Sequence, residues 1–257
     1  MFFFPLYDDN PRRGRPWVMW SVLALCILVF VWQFGQPPIE GRKAVMAFGV
    51  IPKLLFGNAE LSPDIRVIPA WASLITSMFL HGGLLHLGGN MLYLWIFGDN
   101  VEGSMGHGRF LVFYLLCGIA AGLSQAVMAP NSPVPLIGAS GGIAGILGAY
   151  LMLHPKANVR VFVWLFIFFR RINVPAWLVL GGWLVLQFLS LGRPGEGGVA
   201  YVAHIGGFLA GMILVMVFKR RDVPLFDRPQ SRAFEVTRVA GPWDKPRNSQ
   251  QKRGPWG

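Results

Sequence analysis

Two segments of the chain place side chains capable of nucleophilic chemistry in apolar, uncharged surroundings. Ser140 lies among glycines in Gly138-Ala139-Ser140-Gly141, and His204 lies in Ala203-His204-Ile205-Gly206-Gly207. Polar and ionisable side chains are costly at membrane depth, so their presence there favours a functional role. A serine and a histidine are the residue types that form a nucleophile and its general base.

Each of these two residues, taken alone, has a second interpretation in helix packing. Gly141 and Gly145 form a small-xxx-small pair, and a similar pair follows His204; such pairs let membrane helices approach closely. A single serine or histidine in such a helix is more often explained by packing or by an interhelical hydrogen bond. Taken together, two close-packed helices would bring Ser140 and His204 within hydrogen-bond reach. The imidazole would then take the hydroxyl proton and return it to a leaving amine.

Further residues are candidates for stabilising a developing oxyanion. Gly138 and Gly141 permit a tight loop-to-helix transition, and a helix beginning at Ser140 would direct its free N–H groups and its dipole toward an anion. His86 and Asn90 are spaced i, i+4, so they project from one helix face and can donate toward the same point. The alternative is that Asn90 joins helices by hydrogen bonding and that His86 lies at the membrane interface.

The composition predicts an all-α integral membrane protein. Hydrophobic residues make up 54% of the chain and charged residues 14%, compared with about 25% charged in soluble domains. Ser140–Leu153 has about 14 residues, too few to cross ~30 Å of hydrocarbon, so this helix should begin below the outer surface. The uncharged stretches predict six spans: Trp17–Phe34, Trp71–Phe97, Phe110–Met128, Ser140–Leu153, Val174–Leu191 and Val199–Phe218.

The net charge of +11 fits membrane topology better than nucleic-acid binding. Basic clusters precede the first span and follow the fourth and sixth, so the positive-inside rule places both termini in the cytoplasm. Four basic residues in the first external loop run against this pattern. The remaining basicity suits anionic lipid, and no nucleic-acid partner is expected.

The chain divides into three parts. Residues 1–16 are a predicted cytoplasmic tail, residues 17–218 a six-helix membrane domain, and residues 219–257 a disordered basic tail. Gly35–Pro69 reads as a long loop lying partly in the interface, and Gly98–Gly108 as a tight loop. Val161–Phe169 is interpreted as an interfacial segment, and His107 and His154 as solvated residues.

No Asp or Glu occurs in any predicted span, so the third member of a Ser-His-Asp triad has no source there. Glu196 in the last external loop is the nearest acid. The sequence therefore predicts a Ser-His dyad, with tight packing around His204 replacing the orientation that a buried acid supplies.

Taken together, these residues resemble the rhomboid intramembrane serine proteases. The motifs that carry the resemblance are Gly-Ala-Ser-Gly at Gly138–Gly141, Ala-His-Ile-Gly-Gly at Ala203–Gly207, His86-x-x-x-Asn90, the upstream His81, and Gly98-x-x-x-Glu102. Their order and spacing cover nearly all of the membrane region. Three departures stand out: the first external loop has no Trp-Arg pair, position 84 is Leu, and position 144 is Ala where some members place an aromatic against the catalytic histidine.

The resemblance implies a six-helix bundle with the catalytic serine in a water-accessible cavity. By motif, Ser140 would be the nucleophile and His204 the base, and His86, Asn90 and the Ser140 backbone N–H would form the oxyanion hole. His81, Glu102, Gly138 and Gly141 would play supporting roles. The implied substrates are membrane proteins whose single span is easily unwound. The implied location is a bacterial cytoplasmic (inner) membrane.

Other functions fit the sequence less well than a serine protease. A non-catalytic rhomboid-like protein that escorts membrane clients would be marked by loss of the serine or histidine, and both are present. A haem- or metal-binding bundle would use His81, His86 and His204, but the first two would lie about 140° apart on one helix. HExxH and paired intramembrane aspartates are absent, and no inverted repeat suggests a transporter. No metal or cofactor is expected.

Overall fold

The computed structural model describes residues 2–11, 13–165, 168–191 and 200–227. These residues are mostly helical and include one small antiparallel sheet. The helices are α1 (Trp17–Phe34), α2 (Pro38–Phe48), α3 (Pro52–Leu55), α4 (Ser73–Thr76, flanked by short 3₁₀ turns), α5 (Leu84–Met105), α6 (His107–Met128), α7 (Ser140–Leu153), α8 (Ala176–Leu189) and α9 (Tyr201–Phe218). The strands are β1 (Phe2–Asp8), β2 (Asn158–Leu165) and β3 (Phe168–Pro175), in the order β1-β2-β3.

Within the described residues, three helices are long and apolar enough to cross a membrane: α1, α6 and α9. The shorter apolar helical segments are Ala70–Phe79, α7 and α8. Helix α7 is buried along most of its length and packs against α5, α6 and α9. A short helix with a polar start is tolerated at membrane depth when protein surrounds it in this way.

Glycines allow α7 and α9 to pack with their backbones in contact. A Cβ atom added at Gly207 would overlap the backbone of Gly141, and one added at Gly211 would overlap the backbone of Gly145. The two small-xxx-small pairs therefore face each other, and any larger side chain would push the helices apart. This close approach determines how far apart the side chains carried by α7 and α9 can lie.

The sheet corrects the prediction of an all-α chain. Strand β1 comes from the predicted N-terminal tail, and β2 comes from the region predicted as an interfacial segment. Arg160 of β2 ties the sheet together, because its guanidinium donates to Tyr7 Oη (2.6 Å) on β1 and to Asn173 Oδ1 (3.0 Å) on β3. Strands β1 and β2 are more than 150 residues apart in the chain. Local sequence patterns do not reveal a pairing over that distance.

The second predicted span is also corrected. Trp71–Phe97 is interrupted before Leu84, because the chain is extended at Gly83, and α5 then continues to Met105 through the predicted tight loop. The end of α5 is buried from Ile96 to Met105, so tertiary packing overrides the weak helix propensity of its glycines. The predicted long loop Gly35–Pro69 contains α2 and α3.

This extension brings carboxylates into a helix that the sequence analysis ended earlier. Glu102 is buried, and its carboxylate accepts hydrogen bonds from the backbone N–H groups of Val18 (3.0 Å) and Met19 (2.7 Å). It also lies 2.6 Å from His107 Nδ1. Because α1 has no side-chain cap of its own, Glu102 supplies the acceptors that the first turn of α1 needs.

The predicted disorder from residue 219 onward is wrong for residues 219–227. The backbone N–H groups of Phe226 and Asp227 donate to Met152 and Leu153, and Asp227 Oδ2 lies 2.6 Å from His154 Nδ1. His154 is therefore buried and paired rather than solvated. Residues 228–257 of the predicted tail lie outside the described residues.

At the same end of the molecule, β1 is joined to α5 and α7 by a polar cluster. Asp8 Oδ2 accepts hydrogen bonds from Tyr150 Oη (2.5 Å) and Asn100 Nδ2 (2.8 Å). Burial raises the pKa of the Asp8 carboxyl to about 7 from its ordinary 3.8, with Asp99 and Asp9 adding in the same direction, while the Tyr150 hydrogen bond opposes them. The folded state therefore holds this proton over a pH range in which the unfolded chain has lost it.

Replacing Asp8 is expected to change how stability depends on pH. In the wild type, the contribution of the Asp8 carboxyl to the free energy of unfolding is fully present below about pH 4. It is lost as the pH rises through about 7. Asp8→Asn cannot titrate, so its melting temperature relative to wild type should rise across that window. Thermal unfolding in detergent at several pH values measures this, with Glu40→Gln at an exposed Glu40–Lys43 pair as the control. A wild-type-to-variant difference that stays constant with pH would contradict the prediction.

Candidate active site

Ser140 is the first residue of α7, at the point where the chain turns into the bundle. The turn requires glycine at position 138, whose φ is +126° and where a Cβ atom would lie only 2.8 Å from His86 Nε2. The Gly138 N–H donates to the Ser77 carbonyl (2.9 Å), which fixes the turn against the segment preceding α5. The Ser140 hydroxyl consequently lies at the N-terminal, electropositive end of α7.

The structure brings Ser140 and His204 together. Ser140 Oγ lies 2.9 Å from Nε2 of His204 on α9, within hydrogen-bond distance. Both side chains line a cavity of about 670 Å³ inside the bundle, together with His86, Asn90 and Trp183. The contact depends on the glycine-mediated approach of α7 to α9 described above.

The second ring nitrogen of His204 contacts a residue that the sequence analysis missed. His204 Nδ1 lies 2.8 Å from Gln187 Oε1 on α8, and the Trp183 ring packs on the imidazole with centroids 5.6 Å apart and planes inclined at 37°. Trp183 and Gln187 are spaced i, i+4, the same pattern that singled out His86 and Asn90. A polar amide in an apolar helix was the available signal. Glu196, the acid considered earlier, lies outside the described residues.

His86 and Asn90 both line the cavity from α5. His86 Nδ1 accepts a hydrogen bond from the Gly82 backbone N–H (3.2 Å), so its Nε2 is the nitrogen that carries the proton in the neutral ring. Asn90 is buried, and its Nδ2 has no hydrogen-bond partner among the described residues. A buried amide donor without a partner is uncommon and calls for a specific explanation.

His81 lies outside the cavity, in the break before α5. Its ring packs edge-on against His86, with centroids 5.2 Å apart, and its Nδ1 lies 3.2 Å from the Phe79 carbonyl. Its backbone N–H donates to Gln33 Oε1 of α1 (3.2 Å). His81 thus packs behind His86 and ties the break to α1. Over the described ranges, no group of three or more His, Cys, Asp or Glu side chains is arranged to hold a metal ion.

The fold and the cavity define a class: an integral membrane protein with a paired serine and histidine, both half-buried, in a cavity among its helices. Comparison with known families is more specific, because the Rhomboid domain matches residues 69–221, a range that includes Ser140, His204, His86 and Asn90. The chain belongs to the rhomboid family.

Its relatives come from bacteria and eukaryotes. The chain is 36% identical to "Rhomboid protease GluP" of Bacillus subtilis, over 78% of this chain and 34% of that protein. It is 31% identical to "Rhomboid protein 1, mitochondrial" of Saccharomyces cerevisiae, over 82% and 66%. It is 24% identical to "Rhomboid protease GlpG" of Klebsiella pneumoniae, over 83% and 67%. The chain thus spans about a third of the length of the first relative and about two thirds of the other two.

Proposed function

We propose that this protein is an intramembrane serine endopeptidase that cleaves transmembrane proteins in or near their membrane span. The observation that carries the proposal is the 2.9 Å contact between Ser140 Oγ and His204 Nε2 inside a cavity of the helical bundle. Polar side chains are costly in an apolar setting, so the presence of this pair favours a functional role. Membership of a family whose relatives include named proteases supports the same conclusion.

The proposed reaction proceeds through an acyl-enzyme. His204 Nε2 takes the Ser140 hydroxyl proton while Oγ attacks the scissile carbonyl carbon, and the carbonyl oxygen becomes an oxyanion. As the C–N bond breaks, the imidazolium returns the proton to the leaving amine. A water molecule, deprotonated by the same imidazole, then hydrolyses the ester, releases the carboxylate product and restores the Ser140 hydroxyl.

The oxyanion would form among donors that converge on the cavity. We assign this role to His86 Nε2, Asn90 Nδ2 and the Ser140 backbone N–H. The absence of a hydrogen-bond partner for Asn90 Nδ2 among the described residues supports the assignment, since the donor is preorganised for an acceptor that arrives with substrate. The N-terminal end of α7 adds a favourable dipole.

The hydrogen bonding of a regular helix supports a substrate class for the proposed protease. A regular helix keeps its carbonyl groups hydrogen-bonded to its own backbone, so a span must unwind before Ser140 can attack it. Substrates are therefore proposed to be membrane proteins whose span is locally destabilised by small or helix-breaking residues.

The proposed topology has six spans, formed by α1, by Ala70–Phe79 with α5, and by α6, α7, α8 and α9. Both termini would be cytoplasmic, consistent with the basic clusters before α1 and after α7 and α9. The membrane domain would cover residues 17–218, with the short N-terminal segment and the C-terminal residues at the cytoplasmic face. We propose the bacterial inner membrane as the location.

A fluorophosphonate probe tests the proposed function directly, because it reacts covalently with an activated serine. The purified protein is expected to be labelled at Ser140, as mapped by mass spectrometry of the modified peptide. His204→Ala should remove the labelling, since the hydroxyl loses its base. A folded wild-type protein that is neither labelled at Ser140 nor able to cleave any membrane-spanning substrate would instead favour a non-catalytic, client-binding rhomboid protein.

A further inference from the structure

The two ring nitrogens of His204 have different kinds of partner. Nε2 faces the Ser140 hydroxyl at 2.9 Å, and Nδ1 faces the Gln187 amide oxygen at 2.8 Å. We propose that Gln187 is a positioning residue that holds His204 in the tautomer and orientation needed to accept the Ser140 proton. This inference rests on the proposed function and identifies the group that takes the place of a triad carboxylate.

The orientation of the Gln187 amide follows from its second hydrogen bond. Its Nε2 donates to the backbone carbonyl of Trp183 (3.3 Å), so its Oε1 is the atom that faces the imidazole. An amide oxygen only accepts hydrogen bonds, and His204 Nδ1 must therefore carry the proton. The lone pair of the neutral ring is then on Nε2, directed at the hydroxyl of Ser140. Rotating the amide by 180° would lose the Trp183 bond and place two acceptors, Gln187 Oε1 and the Trp183 carbonyl oxygen, against each other.

The placement of Gln187 on α8 supports a specific role. The buried residues of α8 are Ala176, Leu180 and Gln187, while the large apolar side chains Trp177, Leu186 and Leu189 are exposed. Gln187 is the polar member of this buried face, and it needs a partner because burying an unpaired amide is unfavourable. That partner is His204.

The ring of Trp183 also restrains His204. Trp183 lies one turn before Gln187 and packs against the imidazole. It supplies the aromatic contact that some family members obtain from the position of Ala144. Two side chains of α8 therefore fix both the plane and the rotation of the ring. An amide orients the imidazole without adding a negative charge to the apolar bundle, where a carboxylate would be costly.

The test compares Gln187→Leu, which removes the acceptor at similar size, with Gln187→Glu, which keeps an acceptor oxygen. Gln187→Leu is expected to lower kcat by roughly 10²-fold with little change in KM, because the base is mispositioned rather than lost. Gln187→Glu should retain more activity than Gln187→Leu. Gln36→Leu is a matched control, since Gln36 donates to the Trp32 carbonyl through the same i−4 bond but has no histidine partner.

The pH profile separates positioning from packing. In Gln187→Glu a carboxylate would stabilise the imidazolium, so the acid limb of kcat/KM should move to higher pH. The other titratable side chains lining the cavity over the described ranges, His86 and Tyr93, are unchanged by the substitution. Wild-type kcat in Gln187→Leu would overturn the proposal, as would equal activity of the two variants at every pH.

A spectroscopic measurement keeps this inference distinct from the proposed function. In protein labelled with ¹⁵N-histidine, the His204 signals, assigned by comparison with His204→Ala, should show the Nδ1–H tautomer. Gln187→Leu should give a mixture of tautomers. A wild-type protein showing the Nε2–H tautomer would refute the positioning role. A wild-type protein with the expected tautomer that neither cleaves substrate nor is labelled at Ser140 would refute the protease assignment alone.

Discussion

Ser140→Ala and His204→Ala are each expected to abolish cleavage of a membrane-spanning substrate while leaving the protein folded and inserted. Ser140→Ala removes one oxygen atom from the start of α7 and with it the nucleophile. His204→Ala leaves the hydroxyl without a base. Because the two groups act as one unit, either loss should lower the rate by about 10⁴-fold or more, and the double variant should be little worse than either single one.

The measurement is cleavage of a single-span substrate by purified protein in liposomes, together with thermal unfolding of each variant. Ser124→Ala is a matched control, because Ser124 is a half-buried serine on α6 whose hydroxyl donates to the Ala120 carbonyl and has no histidine partner. It should cleave at the wild-type rate. Substantial cleavage by either folded variant would remove Ser140 or His204 from the mechanism.

Those elements whose boundaries are set by local signals were predictable from the sequence. Helices α1 and α7 have the predicted ends, Trp17–Phe34 and Ser140–Leu153. Proline precedes the first of these helices, and the second lies between Gly138 and the His154-Pro155 pair. Proline favours a helix boundary because it lacks the backbone N–H, and Gly138 breaks the helical path because its φ is +126°. The small-xxx-small spacing likewise predicted that α7 and its partner would approach closely, as the Gly141–Gly207 and Gly145–Gly211 contacts show.

The features that were missed depend on partners far away in the sequence. Strands β1 and β2 pair although most of the chain lies between them in sequence. The buried end of α5 becomes helical because other elements cover it. Asp227 reaches His154 through a tail whose composition suggested disorder. The positioning of His204 by Gln187 belongs to the same group, because an isolated glutamine in a span gives no indication of which side chain it will meet.

These missed contacts share a physical consequence. At the end of α7 opposite Ser140, Tyr150 is held by Asp8 and the neighbouring His154 by Asp227, so residues from both flanking segments brace the helix. At its start, Gly138 and the α9 glycines fix its depth and its distance from His204. A hydrogen bond of 2.9 Å between two separate helices requires that neither one slides. We infer that the flanking strand and residues 219–227 help to keep the candidate site in register.

Asn90→Ala is expected to lower kcat by about 10²- to 10³-fold with little change in KM, because its amide would bind the oxyanion more tightly than the substrate carbonyl. If Asn90 instead joined helices, its removal would reduce stability and leave kcat unchanged. The two roles therefore predict opposite results for the same substitution.

Asn100→Ala provides the comparison, since Asn100 is a buried asparagine on the same helix whose amide donates to Asp8 at the other end of the bundle. Asn100→Ala should lower the melting temperature and leave kcat unchanged, whereas Asn90→Ala should lower kcat and leave the melting temperature unchanged. Asn90 Nδ2 has no partner among the described residues, so its loss leaves no acceptor unsatisfied in the resting protein. Wild-type kcat in Asn90→Ala would leave the oxyanion to His86 and the backbone of Ser140.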